Sequence, residues 1–252
     1  MKRLLAFFVA CLALSSVHGQ AQSFTYKWQR VAMDTTYESK QPNLVDSILV
    51  RYQPGIESLM EIIAYSEVEM DKHKPESSLS NLAADIILDA AKAYTEPDDL
   101  VWSLTNFGGI RSSLPKGAVR IYDVFSIFPF ENSIVIVTVS GADVRKQLER
   151  FASRNNYEAL GGIEMEVHDG KITRCLVGGQ PLDDNKEYRL ATIDFLLGGG
   201  DKVFIGSRAI PNSLVETGIV LRDAVVNYLK RETAEGRKLT DRKDGRIVVH
   251  KN

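Results

Sequence analysis

Residues 128–144 read FPFENSIVIVTVSGADV. From Ser133 to Ser140 the run is almost wholly β-branched, the composition of a buried strand. GADVRKQLERFASR follows at once and has helical spacing over 141–154. A strand that hands directly to a helix excludes an all-β or an all-α chain. Phe128-Pro129-Phe130, just upstream, fits a turn with two core aromatics, the usual fate of phenylalanine.

Working outward gives more of both kinds of element. Asn43–Met60 places Leu44, Ile48, Tyr52, Ile56 and Leu59 at helical spacing, with Pro54 and Gly55 expected to kink or split that helix. Ile62, Ile63, Tyr65 and Val68 read as a strand, and MDKHKPESS as a loop. SSLSNLAADIILDAAKAYT is an amphipathic helix with Leu79, Leu82, Ala83, Ile86, Ile87 and Ala90 on one face, capped by Ser77 or Ser78. LVWSL (100–104) and EYRLATIDFLL (187–197) read as strands. Residues 161–182 read as a hairpin turning at Asp169-Gly170. LVETGIVLRDAVVNYLKRETAEG (214–236) reads as one long helix, and DGRIVVHK as a last short strand. Helices and strands alternate without a strict βαβ repeat, so the fold class expected is α+β: a mixed β-sheet with helices packed on it.

The chain opens with Lys2 and Arg3, the apolar run LLAFFVACLAL (4–14) and the small or polar residues SSVHGQAQ. That is the plan of a secretory signal peptide, expected over residues 1–21. Cys11 after Ala10 opens a lipoprotein reading, which Phe8 and the continuing apolar run disfavour. Residues 22–59 read as a polar arm and an N-terminal helix, and 60–252 as the main domain. Loss of Lys2 and Arg3 leaves 29 basic against 33 acidic residues, a net charge of −4, which argues against a nucleic-acid polymer as partner. No later segment is apolar enough to cross a membrane. Export leaves one cysteine, Cys175, and so no internal disulfide.

Four motifs are weak singly: ESSLSNLAAD (76–85) can be just a capped helix, and DFLLGGGDKVF (194–204) just a loop after a strand. Taken in order with NFGGIR (106–111) and FPFEN (128–132), they resemble the C-terminal domain of the 5′-nucleotidase and UDP-sugar hydrolase family over roughly residues 60–235. There the series is E-S-x-L-x-N-L, N-x-G-G-I-R, P-F-x-N and N-F-x-x-x-G-G-D-G-[YF]. The resemblance implies a substrate-binding domain for a nucleoside or nucleotide. Arg111 would hold the phosphate or ribose side, and Asn106 would open the same loop. Gly108 and Gly109 would turn the chain and leave room for the ligand. Phe130 and Phe195 would sandwich the base, and Asp201 would contact the ribose hydroxyls.

Four departures stand out. Lys202 occupies a glycine of the family pattern, which predicts a reshaped loop; Val203 replaces an aromatic, and Asp194 an asparagine. Where the family often has an upstream arginine, this chain has Lys72, His73 and Lys74.

The family's chemistry belongs to a preceding metallophosphoesterase domain with two metal ions. No GNH or GHxH run occurs here, and Asp71-Lys72-His73 spells D-x-H without its partners. The expectation is therefore an exported, stand-alone binding domain with no catalytic residue and no metal of its own, inactive alone. Divalent metals would belong to a partner metallophosphoesterase chain. Two other readings stay open: a nucleoside- or nucleotide-binding module with no enzymatic partner, and a hydrolase acting through an unrecognised site.

Overall fold

The computed structural model describes residues 25–30, 44–203 and 205–250. The expected signal peptide, 1–21, and most of the expected arm lie outside the described residues. The chain divides into two compact units, residues 1–50 and 51–252. Residues 25–30 are irregular and exposed. Helix α1 (Leu44–Ile56) begins in the first unit and has no buried residue. It runs through Pro54 and, two residues later, gives way to a 3-10 turn, Glu57–Met60.

The second unit is built on a five-stranded sheet ordered β10-β4-β9-β2-β5, where β2 is Val101–Thr105, β4 Ser133–Ser140, β5 Ala159–Gly161, β9 Glu187–Ile193 and β10 Val215–Val220. It is mixed: β2 and β9 are parallel, and the other pairs are antiparallel. Six consecutive residues of β4 are buried, because helices or loops cover both its faces; this is why its sequence is continuous rather than alternating. A four-stranded sheet runs β11-β6-β7-β8: β6 Ile163–His168, β7 Lys171–Val177, β8 Gln180–Pro181 and β11 Ile247–His250. A two-stranded ribbon pairs β1 (Ile62–Ser66) with β3 (Gly117–Arg120). The fold is thus α+β as expected, with its strands shared among three sheets.

Helix α2 (Ser78–Ala91) packs on the five-stranded sheet through Leu79, Leu82, Ala83, Ile86 and Ile87. Ser77 caps it, accepting from Ser80 N while Ser80 Oγ accepts from Ser77 N. Glu76 and Asn81 of the helix motif face the tail of the chain. Glu76 Oε1 accepts from Asn81 Nδ2, Asp244 N and Gly245 N, and Asn81 Nδ2 also donates to Arg242 O. The β6–β7 turn at Asp169-Gly170 has φ +47° and +77°, the left-handed pair that a two-residue hairpin requires.

Residues 214–236 are not one helix. VETGIV pairs with β4 as edge strand β10, and the helix, α6, is confined to Leu221–Ala234. Gly218, at φ +70°, sits where the register slips between Glu216 and Val220. GAVRIYDVFSI, unassigned in sequence, forms β3 and the short helix α3 (Ile121–Ile127). Helix α4 (Gly141–Ser153) follows β4 directly. The strand expected over 187–197 stops at Ile193, and Asp194–Leu197 coil into one helical turn, α5.

Candidate functional site

Three strand ends meet at one edge of the five-stranded sheet. Parallel β2 and β9 both finish there. Antiparallel β4 starts there, since Ile134 lies opposite Ile193. Three segments therefore converge: 106–111 leaving β2, 128–132 entering β4, and 194–202 leaving β9. The carboxyl ends of parallel strands are where open α/β sheets hold ligands.

Asn106, Gly108, Gly109, Arg111, Phe130, Phe195 and Asp201 all line one cavity of about 300 Å³ at that edge, together with Asn132. Asn132 closes the same FPFEN motif; sequence reasoning passed over it although the motif contains it. Within that motif Phe128 joins the core at 5% exposure, whereas Phe130 is 48% exposed. Phe195 is 47% exposed. A Cβ at Gly200 would lie 2.4 Å from Phe195 Cε1, so the glycine backbone forms the seat of that ring.

The paired glycines turn the chain and also let two side chains of the site approach closely. Phe107–Gly109 form a 3-10 turn just past β2, so they do turn the chain. A Cβ at Gly108 would lie 2.8 Å from Asp201 Oδ2, and one at Gly109 2.8 Å from Asn106 Oδ1. Asp201 and Asn106 therefore pack against these glycines where a side chain would stand, and both glycines line the cavity. Asn106 Nδ2 donates to Asp201 Oδ2 and so joins two of the three segments. Asn106 Oδ1 is buried and has no partner among the described residues. An orphaned buried acceptor costs about 1–3 kcal/mol and marks a place where a donor belongs.

Arg111 is held by its backbone, whose N–H donates to Ile127 O at 2.8 Å, while Nη1 donates to Gly108 O at 3.2 Å. Among the described residues no carboxylate pairs with it. Lys72, one of the three basic residues of that upstream loop, is committed to the loop backbone: Nζ donates to Phe107 O at 3.0 Å and to Ile110 O. Lys74 faces Glu158 at 3.7 Å and Asn156 Oδ1 at 2.8 Å. Neither lysine lines the cavity.

Glu158 carries no motif, and no sequence signal could have found it. It is 6% exposed and accepts from Phe107 N at 2.7 Å, bracing the turn from behind. Burial, with a contribution from the Asp201 charge, holds its carboxyl above the usual range against the pull of Phe107 N–H and Lys74. Lys202, expected to reshape the glycine-rich loop, instead takes the left-handed conformation itself (φ +61°), beside Asp201 at φ +50°. A non-glycine residue there costs about 1–2 kcal/mol. Val203 is buried in the core.

Among the described residues the lining offers one carboxylate and no imidazole, thiol or hydroxyl, a set that does not fit a pair of catalytic metal ions. Cys175 stands outside the lining, its thiol pushed up to about 11 by burial. The lining does offer two aromatic faces, a guanidinium fork, two amides and an acceptor carboxylate.

Residues 62–206 match the model of the 5′-nucleotidase C-terminal domain. The chain belongs to that family. Among its relatives, Protein UshA of Yersinia enterocolitica is 31% identical over 66% of this chain and 30% of its own length. A 5′-nucleotidase of Vibrio cholerae is 29% identical over 77% of this chain and 35% of its own length. The fold is shared with a 5′-nucleotidase precursor from Thermus thermophilus: TM-score 0.68, 24% identity, 81% of this chain and 42% of that one. The chain spans about a third of the length of the curated relatives it matches.

Proposed function

We propose that this chain is the nucleoside- or nucleotide-binding part of a 5′-nucleotidase system and works outside the cytoplasm. In this reading Phe130 and Phe195 grip the base from two sides, a sequence-tolerant contact of about 1–3 kcal/mol per stacked ring. Arg111, free of any described carboxylate, takes phosphate oxygens with a paired fork. Asp201 accepts from the ribose diol, and a ligand donor satisfies Asn106 Oδ1. One observation carries the reading: two half-exposed phenylalanines from separate motifs line the same cavity as an arginine with no carboxylate partner among the described residues.

Hydrolysis then needs metal ions that a metallophosphoesterase chain supplies, since no stretch of these 252 residues carries its signature runs. In this reading the partner meets the cavity at the strand ends of the five-stranded sheet. The N-terminal pattern over residues 1–21 is read as the export signal, with Cys11 lipidation the lesser alternative. The alternative function is capture of nucleosides or nucleotides with no enzymatic partner. Phosphate release from AMP with divalent metal separates the two. The chain alone should release none, and a metallophosphoesterase chain should release more in its presence. AMP turnover by this chain alone would overturn the proposal. Tight AMP binding with no effect on any such partner would leave the capture reading.

A further inference from the structure

We propose that Glu166, His168 and His250 form a surface site for a divalent transition-metal ion, zinc first among them, which fastens the last strand to the four-stranded sheet. In sequence the two histidines stand far apart, in different elements, and neither belongs to a motif. Parallel pairing of β11 with β6 sets His250 directly opposite His168. Their rings stack with centroids 4.2 Å apart and an interplanar angle of 19°. Glu166 lies two residues before His168 on β6, and the strand's period of two puts both on the outward face. One ligand atom from each of the three residues lies within 4.8 Å of the others, the one such group among the described residues.

The donor set selects the ion. Two imidazoles and a carboxylate suit zinc, and a three-residue set leaves a fourth tetrahedral position for water. Magnesium and calcium prefer all-oxygen sets. Arg174 competes for Glu166 from the neighbouring strand, yet it holds Glu166 at 3.5 Å and Glu164 at 3.3 Å. Glu164 can keep the guanidinium while Glu166 turns to a metal. Among the described residues strand β11 is an edge strand, paired only with β6. An ion bridging the pair would clamp that edge, whereas the cavity described above lies at the other, five-stranded sheet.

The test is calorimetric titration of ZnCl₂ into the full mature chain stripped of metal, with thermal melting alongside. One equivalent of zinc should bind. His168→Ala and His250→Ala should each weaken binding by more than the roughly 10–100-fold that loss of an outer-shell partner costs, and Glu166→Gln should weaken it as well. At zinc about 100-fold above the dissociation constant, the wild-type melting temperature should rise by roughly 5–10 °C, and that of His250→Ala should not. Both histidines are exposed, so the variants should melt like wild type without zinc. Absence of stoichiometric zinc binding would overturn the proposal. So would zinc binding that survives loss of both histidines, or equal binding of MgCl₂.

Discussion

Phe130→Ala and Phe195→Ala separate a ligand clamp from ordinary packing. Truncating a fully buried phenylalanine costs about 3–5 kcal/mol. These rings are 48% and 47% exposed, so each truncation should cost roughly half of that, about 1.5–2.5 kcal/mol. In a domain of this size that lowers the melting temperature by about 3–10 °C. Phe195 should sit at the upper end, because the Gly200 backbone lies against its ring. The binding loss should be larger than exposure alone suggests. Removing one face of the clamp forfeits about 1–3 kcal/mol of stacking, roughly a 5- to 150-fold rise in the adenosine dissociation constant. Calorimetric titration with adenosine and thermal melting on the same preparations read both quantities. A melting temperature lowered by well over 10 °C with adenosine affinity intact would return both residues to the core and refute the clamp.

Arg111→Ala should weaken AMP binding more than adenosine binding, and Arg111→Lys should recover only part of the loss, because an ammonium cannot make the paired contact; equal losses for both ligands, measured by titration, would move Arg111 to the ribose or base side. Gly200→Ala should drive the Phe195 ring out of its seat and reproduce the binding loss of Phe195→Ala, a comparison that fails if adenosine affinity is unchanged. Glu158 holds its proton more tightly in the folded chain, so its contribution to stability is full below the ordinary glutamate value of about 4.5 and is lost as pH rises through its raised folded value. Glu158→Gln, uncharged throughout, should therefore gain in melting temperature relative to wild type as pH rises from about 4 to 8; a constant difference across that range would show that Glu158 is not the group involved.

Much of the cavity was legible because its residues sit in short motifs at strand ends, where backbone constraints leave a mark on the sequence. NFGGIR, FPFEN and DFLLGGGD each name at least one lining residue. What the motifs could not convey was how they join. The Asn106–Asp201 bond explains the glycine pair, yet it links positions that only the β2–β9 pairing brings near. Glu158 was invisible for the same reason: it braces Phe107 N through tertiary contact alone. Strand β10 was misread because the apolar spacing of 214–236 continues across the strand–helix boundary at Leu221, and an edge strand that alternates in burial shows little excess of apolar residues. The β-branched run in β4 was plain because burial on both faces removes any ambiguity of period.

The tie between the start of the domain and its tail has a consequence for how the chain comes into being. Glu76 and Asn81 find their partners in residues 242–245, and Leu239 exchanges backbone hydrogen bonds with Tyr65 and Glu67. Both sets of contacts span most of the chain, and such non-local closures come late in folding. During synthesis the Ser77–Ser80 cap of α2 can close locally, but Glu76 and Asn81 lack these partners until residues 242–245 have been made. The domain would thus stay incompletely closed for most of its own synthesis, and its tail would act as the latch that is set last.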